Sequence, residues 1–248
     1  MITVQSGMDP ADLARQLLAL QPCLDIADGE LLAAYWRFHP RFRFVKTARA
    51  GASILDVGAG AGGLPAWKAW LDPQRHDLRL FAADRAPAPQ QHGYDSWECL
   101  DLDEALPDFP GITFDAALLS HIVEHVRDPA LLLAWIGSRL AIGGRIYIEW
   151  PSEASVRLPR REALLPFGVD LMISNFFDDA THRRPVTMEE LRIALRDAGF
   201  RVTASGTIAA GLLGEELLAR GLRRDDAFAR LAGFWSMTGW CNWVEAVR

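Results

Sequence analysis

Residues 53–63 constrain this chain more than any others. Ser53–Val57 (SILDV) is a short, largely apolar run that reads as a buried strand. It passes directly into Gly58-Ala59-Gly60-Ala61-Gly62-Gly63, and Pro65 then stands near the first turn of a short helix, where its missing N–H costs little. Glycines at these positions let the backbone turn sharply and let a ligand approach it closely. The helix that follows presents free N–H groups to that ligand. Such a unit belongs in a sheet whose strands are joined by helices.

The remaining periodicity agrees. Residues 9–20 and 29–39 read as helices, with Leu13, Leu17, Leu18 and Leu20 at roughly helical spacing in the first. Apolar strands follow at Leu78–Ala83, ending at Asp84, then at Trp97–Leu100 and Phe114–Ser120. A Pro-rich loop occupies 86–93, and an apolar helix spans 129–140. Gly143-Gly144 turns into a fifth strand, Arg145–Glu149, stopped by Pro151. Residues 152–186 break the rhythm with Arg, Pro, Phe and Asp, as an inserted cap would. Thr187 with Glu190 forms a capping-box pattern, opening a helix over 188–198 that ends at Gly199. Phe200–Ser205 is a strand, a helical insertion covers about 214–233, and a last strand lies near Cys241–Val247. The expectation is an α/β, doubly wound Rossmann-like sheet of about seven strands. Four segments are expected: a helical N-terminal extension over 1–52, a core over 53–150, a cap insert over 151–186, and the rest of the core with its helical insertion over 187–248.

Composition narrows the partners. The chain has 248 residues, 50% hydrophobic, with a formal charge of −6. That balance argues against a general nucleic-acid binder. No apolar run is long enough to span a membrane, and the N-terminus has no secretory pattern. Cys23, Cys99 and Cys241 are odd in number and scattered, without disulfide or zinc-ribbon spacing. A cytoplasmic setting is expected. Nine tryptophans are the one oddity, and so many large flat side chains need a core or a ligand to cover.

The glycine loop alone leaves two chemistries open, because Gly58-x-Gly60-x-x-Gly63 also matches the dinucleotide fingerprint. Asp56 helps to separate them. A carboxylate inside the strand repels a pyrophosphate but suits a cationic or amino-bearing ligand such as S-adenosylmethionine. Asp84, at the end of the second strand, is placed to accept hydrogen bonds from ribose hydroxyls, which both cofactors carry.

Asp56-Val57-Gly58-Ala59-Gly60-Ala61-Gly62 resembles the first motif of the class I S-adenosylmethionine-dependent methyltransferases, an acidic residue followed by Gly-x-Gly-x-Gly. Asp101-Leu102-Asp103 with Leu106-Pro107 looks like that family's adenine-contact segment. Residues 114–126 (FDAALLSHIVEHV) are similar to its fourth motif, and 140–149 (LAIGGRIYIE) to its turn into the fifth strand. Residues 191–200 (LRIALRDAGF) resemble the helix before its sixth strand. The resemblance covers about residues 53–150 and 187–205, and is nearest to small-molecule methyltransferases whose fourth strand ends in His-x-x-Glu-His. It implies that Asp56, Gly58, Gly60 and Gly62 hold the methionine portion of the cofactor. It further implies Asp84 on the ribose, Arg85 beside the adenine, Asp101 on the adenine amino group and Leu102 near the ring. Ser120 and His121 would lie near the sulfonium. The implied strand order is 3-2-1-4-5-7-6 with the last strand antiparallel. The product would be S-adenosylhomocysteine. The inserts at 152–186 and before the last strand depart from the simplest pattern, and they lie where substrate specificity is set.

Catalytic candidates follow from what methyl transfer to a hydroxyl or protonated amine needs, an aligned nucleophile and a base. His182, in Asp178-Asp179-Ala180-Thr181-His182, is one, set beside acids that would orient it. His121 is the second and Glu149 the third. Trp150, Phe176, Phe177 and Trp235 are candidate pocket walls for a small-molecule substrate. Arg157, Arg160, Arg161, Arg183 and Arg184 are either an anion site or solvated charge, and so is the basic run from Arg37 to Arg49. His121-x-x-Glu124-His125 also fits an inverted zinc-protease motif, but that motif needs both histidines on one helix face. Here it follows a strand directly, so no metal is expected. The competing readings are a nicotinamide-dependent oxidoreductase and a non-catalytic S-adenosylmethionine-binding module.

Overall fold

A computed structural model of the chain describes residues 7–90 and 93–248. The first six residues of the expected N-terminal extension, and residues 91–92 of the Pro-rich loop, lie outside them. The described residues form nine α-helices: α1 (Pro10–Ala19), α2 (Asp28–Phe38), α3 (Pro40–Lys46), α4 (Leu64–Trp70), α5 (Pro129–Arg139), α6 (Arg161–Leu164), α7 (Met188–Asp197), α8 (Gly211–Arg224) and α9 (Ala227–Thr238). Three short 3-10 helices lie at Ser155–Arg157, Leu165–Phe167 and Phe176–Asp178, and there are seven strands among the described residues: β1 (Ser53–Val57), β2 (Arg79–Asp84), β3 (Ser96–Cys99), β4 (Phe114–Ser120), β5 (Leu140–Pro151), β6 (Arg201–Thr207) and β7 (Cys241–Val247).

The strands make one sheet in the order β3-β2-β1-β4-β5-β7-β6. β1 runs parallel to β2 and β4, β2 to β3, and β4 to β5. Every residue of β1 is buried, as expected for a central parallel strand covered on both faces. β7 runs against its neighbours. Thr203 Oγ1 donates to the Glu245 carbonyl and Ile208 N to that of Cys241, so numbers rise on β6 as they fall on β7. Arg248 N donates to the Gly144 carbonyl and Ser152 N to that of Trp240, which gives the same sense against β5. The expected sheet order and antiparallel last strand are therefore the observed ones.

The chain divides into two compact units. One comprises Met1–Pro40, Pro151–Thr187 and Thr207–Asn242; the other comprises Arg41–Trp150, Met188–Gly206 and Trp243–Arg248. The second, the sheet unit, holds most of the sheet and the glycine loop. In the first, the helical unit, α8 packs on α9 so closely that glycine is needed at the crossing. A Cβ on Gly233 would lie 2.5 Å from Leu218 N and 2.6 Å from the Gly214 carbonyl. Glu216 on α8 accepts from the N–H groups of Cys23 and Leu24, and Arg220 donates to the Leu24 and Ile26 carbonyls. That ties the segment before α2 onto α8.

Three elements differ from the sequence reading. The basic stretch after residue 39 contains a helix, α3, with Phe42, Phe44 and Val45 buried. Buried Arg75 donates to the Lys46, Ala48 and Arg49 carbonyls, which satisfies the end of that helix. β5 begins at Leu140 and runs through Gly143-Gly144 instead of starting after them. The helical insertion is two helices, broken where Asp225 takes a left-handed conformation and Asp226 caps α9 through Ala229 N.

Among the tryptophans, Trp150 and Trp240 are fully buried, whereas Trp70 is 53% exposed.

Candidate active site

The glycine loop follows from where β1 ends. Gly58, Gly60 and Gly62 all have positive φ, +73°, +55° and +74°, which other residues rarely adopt. Gly58 also needs its missing side chain. A Cβ there would sit 1.8 Å from Ile122 Cδ1, so the β4 turn presses directly on the loop. At Gly60 a Cβ would meet nothing within 4 Å, leaving backbone open on that side. Gly62 is bordered by Pro89, Tyr94 and Trp97.

Below the loop lies Asp56, 5% exposed. Burial pushes its carboxyl up to about 6, while the hydrogen bond from Tyr94 and the charge of Arg41 pull it down. Tyr94 donates its hydroxyl to Asp56 Oδ2 at 2.5 Å. Burial and the neighbouring Asp56 charge push the Tyr94 phenol well above its usual range, so it stays a donor. Tyr94 sits between the Pro-rich loop and β3, and nothing in its local sequence signals this role.

Asp84 ends β2 half-buried, where its two oxygens accept from Gly60 N (2.8 Å) and Ala86 N (2.7 Å). One carboxylate thus links the glycine loop to the turn after β2, and each oxygen retains a second lone pair for a ligand hydroxyl. Arg85 beside it is exposed. Asp101 accepts from Asp103 N at 2.9 Å, which shapes the turn carrying Leu102. Trp97 donates its indole N–H to the Ala86 carbonyl and so closes the same corner. A buried carboxylate for an ammonium, open glycine backbone and a half-exposed carboxylate on the next strand suit the donor set of S-adenosylmethionine, and Asp56 disfavours a pyrophosphate.

The ends of β4 and β5 carry a second constellation. Arg41, from α3, donates to Ser120 Oγ at 2.5 Å, and its Nε lies 3.8 Å from Glu149 Oε2. His121 holds a φ of +56°, in the left-handed region. Its Nδ1 lies 3.1 Å from Glu124 Oε1 and its Nε2 3.2 Å from Glu149 Oε1. Tyr147 donates to the other Glu149 oxygen at 2.9 Å. Residues 121–128 form turns, and helix α5 begins only at Pro129, so the His-x-x-Glu-His residues do not share a helix face. Sequence reasoning found His121 and Glu149 separately but missed Arg41 and Glu124 as their partners.

The remaining candidates, apart from Trp150, belong to the helical unit. His182 has a side chain only 4% exposed. Its Nδ1 lies 2.5 Å from the Phe176 carbonyl, which only accepts, so Nδ1 carries the proton and Nε2 is the basic nitrogen of the neutral ring. Asp179 Oδ2 is 3.9 Å from Nε2. The ring packs on Phe176 at 4.5 Å. Phe176 is buried and Phe177 is 49% exposed, with the Arg160 guanidinium over its ring. Trp235 stacks on Trp240 with ring centroids 4.1 Å apart and planes 4° from parallel, and its N–H goes to the Ile173 carbonyl. Arg161 forms a bidentate pair with Asp170. Trp150, in the sheet unit, is fully buried at the end of β5.

Three comparisons bear on this geometry. A family profile described as a methyltransferase domain matches residues 31–205. A ubiquinone biosynthesis O-methyltransferase of Xanthomonas euvesicatoria pv. vesicatoria is 28% identical over 171 residues, covering 65% of this chain and 69% of that one. The chain spans about two-thirds of the length of the curated relatives it matches. Among solved structures, an S-adenosylmethionine-dependent methyltransferase from Mesorhizobium loti superposes with a TM-score of 0.55 at 19% identity, covering 87% and 98% of the two chains. The [4+2]-cyclase SpnF does so with a TM-score of 0.54 at 16% identity, covering 97% and 93%. At such identities the superpositions speak for the fold.

Proposed function

The chain belongs to the methyltransferase-domain family, and from that membership we propose that it transfers the methyl group of S-adenosylmethionine to a hydroxyl of a small aromatic molecule. The observation that carries the reading is the coincidence of the matched span with the cradle. Residues 31–205 contain Asp56, the three left-handed glycines, Asp84 and the β4 turn. Neither the oxidoreductase reading nor the non-catalytic one gains comparable support. The hydroxyl acceptor is supported by the O-methyltransferases of ubiquinone biosynthesis that the chain resembles. The aromatic acceptor is supported by the partly exposed rings of Phe177 and Trp235. No helix among the described residues is long and apolar enough to cross a membrane. A cytoplasmic setting is part of the reading, and three thiols without disulfides suit it.

When bound, S-adenosylmethionine supplies a methyl carbon activated by positive sulfur. The residues of this chain then have separable tasks. Asp56, ionised, meets the ligand's ammonium, directly or through water. Gly58, Gly60 and Gly62 give it backbone without side-chain obstruction. Asp84 accepts from the ribose, Arg85 and Leu102 flank the adenine, and Asp101 accepts from its amino group. Ser120 and His121 lie towards the sulfonium end. In the helical unit, Phe177 and Trp235 offer partly exposed rings to an acceptor and the Nε2 of His182 a base for its hydroxyl, whereas Trp150 and Phe176, expected as walls, are buried and present no surface to it.

Calorimetry and a base variant test this. S-adenosylhomocysteine is expected to bind in a 1:1 ratio, and NAD not at all. Preferential NAD binding would overturn the assignment. His182→Ala is expected to lower kcat by about 10²–10⁴ with cofactor affinity intact, the scale of a lost general base. An undiminished rate removes His182 from that role.

A further inference from the structure

His121 is a poor candidate for a base, and the reason gives it another task. Both of its ring nitrogens face carboxylates, Glu124 at 3.1 Å and Glu149 at 3.2 Å. An ionised carboxylate only accepts hydrogen bonds, and a neutral imidazole carries one N–H. A neutral ring would therefore set a nitrogen lone pair against an oxygen lone pair. The surroundings within the sheet unit argue the same way. The Glu124 side chain is fully buried, that of Glu149 is 3% exposed, and Arg41 lies 3.8 Å from Glu149. Tyr147 donates to Glu149 and contributes no charge. A protonated His121 adds to Arg41 a second positive charge beside the two glutamates, in a place shielded from water; His125, whose ring nitrogen lies within 4.8 Å of a Glu124 oxygen, is the other titratable group of that turn.

The backbone adds a second, independent observation. His121 is non-glycine at φ +56°, a conformation that persists where the surroundings over-determine it. Its N–H donates to the Glu149 carbonyl at 2.8 Å, so main chain and side chain tie to the same residue of β5. The next residue, Ile122, occupies the volume that a side chain at Gly58 would need.

We propose that His121 is held as a doubly protonated imidazolium, a positioning residue that staples the β4 turn to Glu149 and Glu124 and thereby keeps Ile122 seated on the glycine loop. No proton leaves or arrives at His121 during turnover. The effect on ligand binding rests on the reading of that loop as the cofactor cradle; the protonation state does not.

The test uses the full chain with 15N-labelled histidine. Near neutral pH, the His121 ring (assigned by its loss in His121→Asn) is expected to show both nitrogens protonated. Glu124→Gln is expected to bring His121 into the ordinary histidine titration range and to weaken S-adenosylhomocysteine binding roughly tenfold, the scale on which groups behind a ligand-contacting residue act. His121→Asn, a residue that tolerates the left-handed turn, is expected to weaken binding likewise, with the shape of the kcat–pH profile unchanged. One bare ring nitrogen in the wild-type protein would overturn the proposal. So would wild-type ligand affinity in a folded His121→Asn, or the loss of a limb from its pH profile. If His121→Asn fails to fold, the wild-type spectrum and Glu124→Gln decide. A wild-type protein that binds no S-adenosylhomocysteine overturns the cradle reading and with it the staple's effect on binding, while the ring spectrum still decides the protonation state.

Discussion

Asp56 is buried at a cost in stability, which its proposed part in binding a cationic ligand would account for. Burial pushes its carboxyl up to about 6 in the folded chain, against an ordinary value of 3.8. The folded state therefore holds a proton that the unfolded state has lost between those two values, so stability falls as pH rises across that window. Two pKa units correspond to roughly 3 kcal/mol, an upper bound on what ionised Asp56 costs the ligand-free protein at neutral pH. Asp56→Asn keeps the shape and an acceptor for Tyr94. It is expected to raise the melting temperature of the ligand-free protein near neutral pH and to lose most affinity for S-adenosylhomocysteine. An unchanged or lowered melting temperature contradicts the cost. The same titration makes binding pH-dependent. Below pH about 6 an ammonium ligand must first displace the Asp56 proton, so affinity is expected to weaken as pH falls, measured by calorimetry across that range. Asp84→Ala removes hydrogen bonds to a charged acceptor worth about 1.5–3 kcal/mol, and with them the tie to Gly60. Unchanged affinity would remove Asp84 from the site.

At the level of elements, two close approaches carry the architecture. Gly58→Ala places a methyl group where Ile122 already lies and in a backbone conformation that costs roughly 1–2 kcal/mol for a residue with a Cβ. Loss of ligand binding is expected, and Ile122→Ala should restore it only in part, because the backbone term stays. Gly233→Ala sets a methyl against Leu218 and Gly214 and should destabilise the chain by roughly 1–3 kcal/mol, read in thermal unfolding. The central strands were legible because β1 and β4 are short apolar runs between turn residues, which is what a strand buried on both faces must be. α3 was not, because Pro40 and the basic residues Arg41, Arg43 and Lys46 mask Phe42, Phe44 and Val45, and because Arg75, which closes its end, stands 29 residues from Lys46. The start of β5 was hidden by Gly143-Gly144, which reads as a turn although Arg248 pairs both residues into the sheet. In the candidate site, the glycines and Asp56 sit on one local pattern and Asp84 ends a separate apolar strand, so their placement at strand ends was legible. The partners of His121 come from β5 and from a turn, and Tyr94 from an irregular loop, so only the folded chain brings them to their acceptors.

Over the whole molecule, the sheet order and the family match explain each other. A doubly wound sheet places ligands at the carboxyl ends of its strands, and Asp56, Asp84, Ser120, His121 and Glu149 all lie towards that end of their strands. Fold alone does not choose the reaction, since a [4+2]-cyclase superposes on this chain as well as a methyltransferase does. The chemistry has to be read from the site and tested there. The most direct test incubates the purified chain with S-adenosylmethionine carrying a deuterated methyl group and a panel of phenols, with amines and carbon acids as controls. The account predicts mass-spectrometric detection of one labelled methyl group on a hydroxyl oxygen, with one S-adenosylhomocysteine formed for each. Stoichiometric binding of S-adenosylhomocysteine with no labelled product from any acceptor, or label confined to nitrogen or carbon, would contradict it.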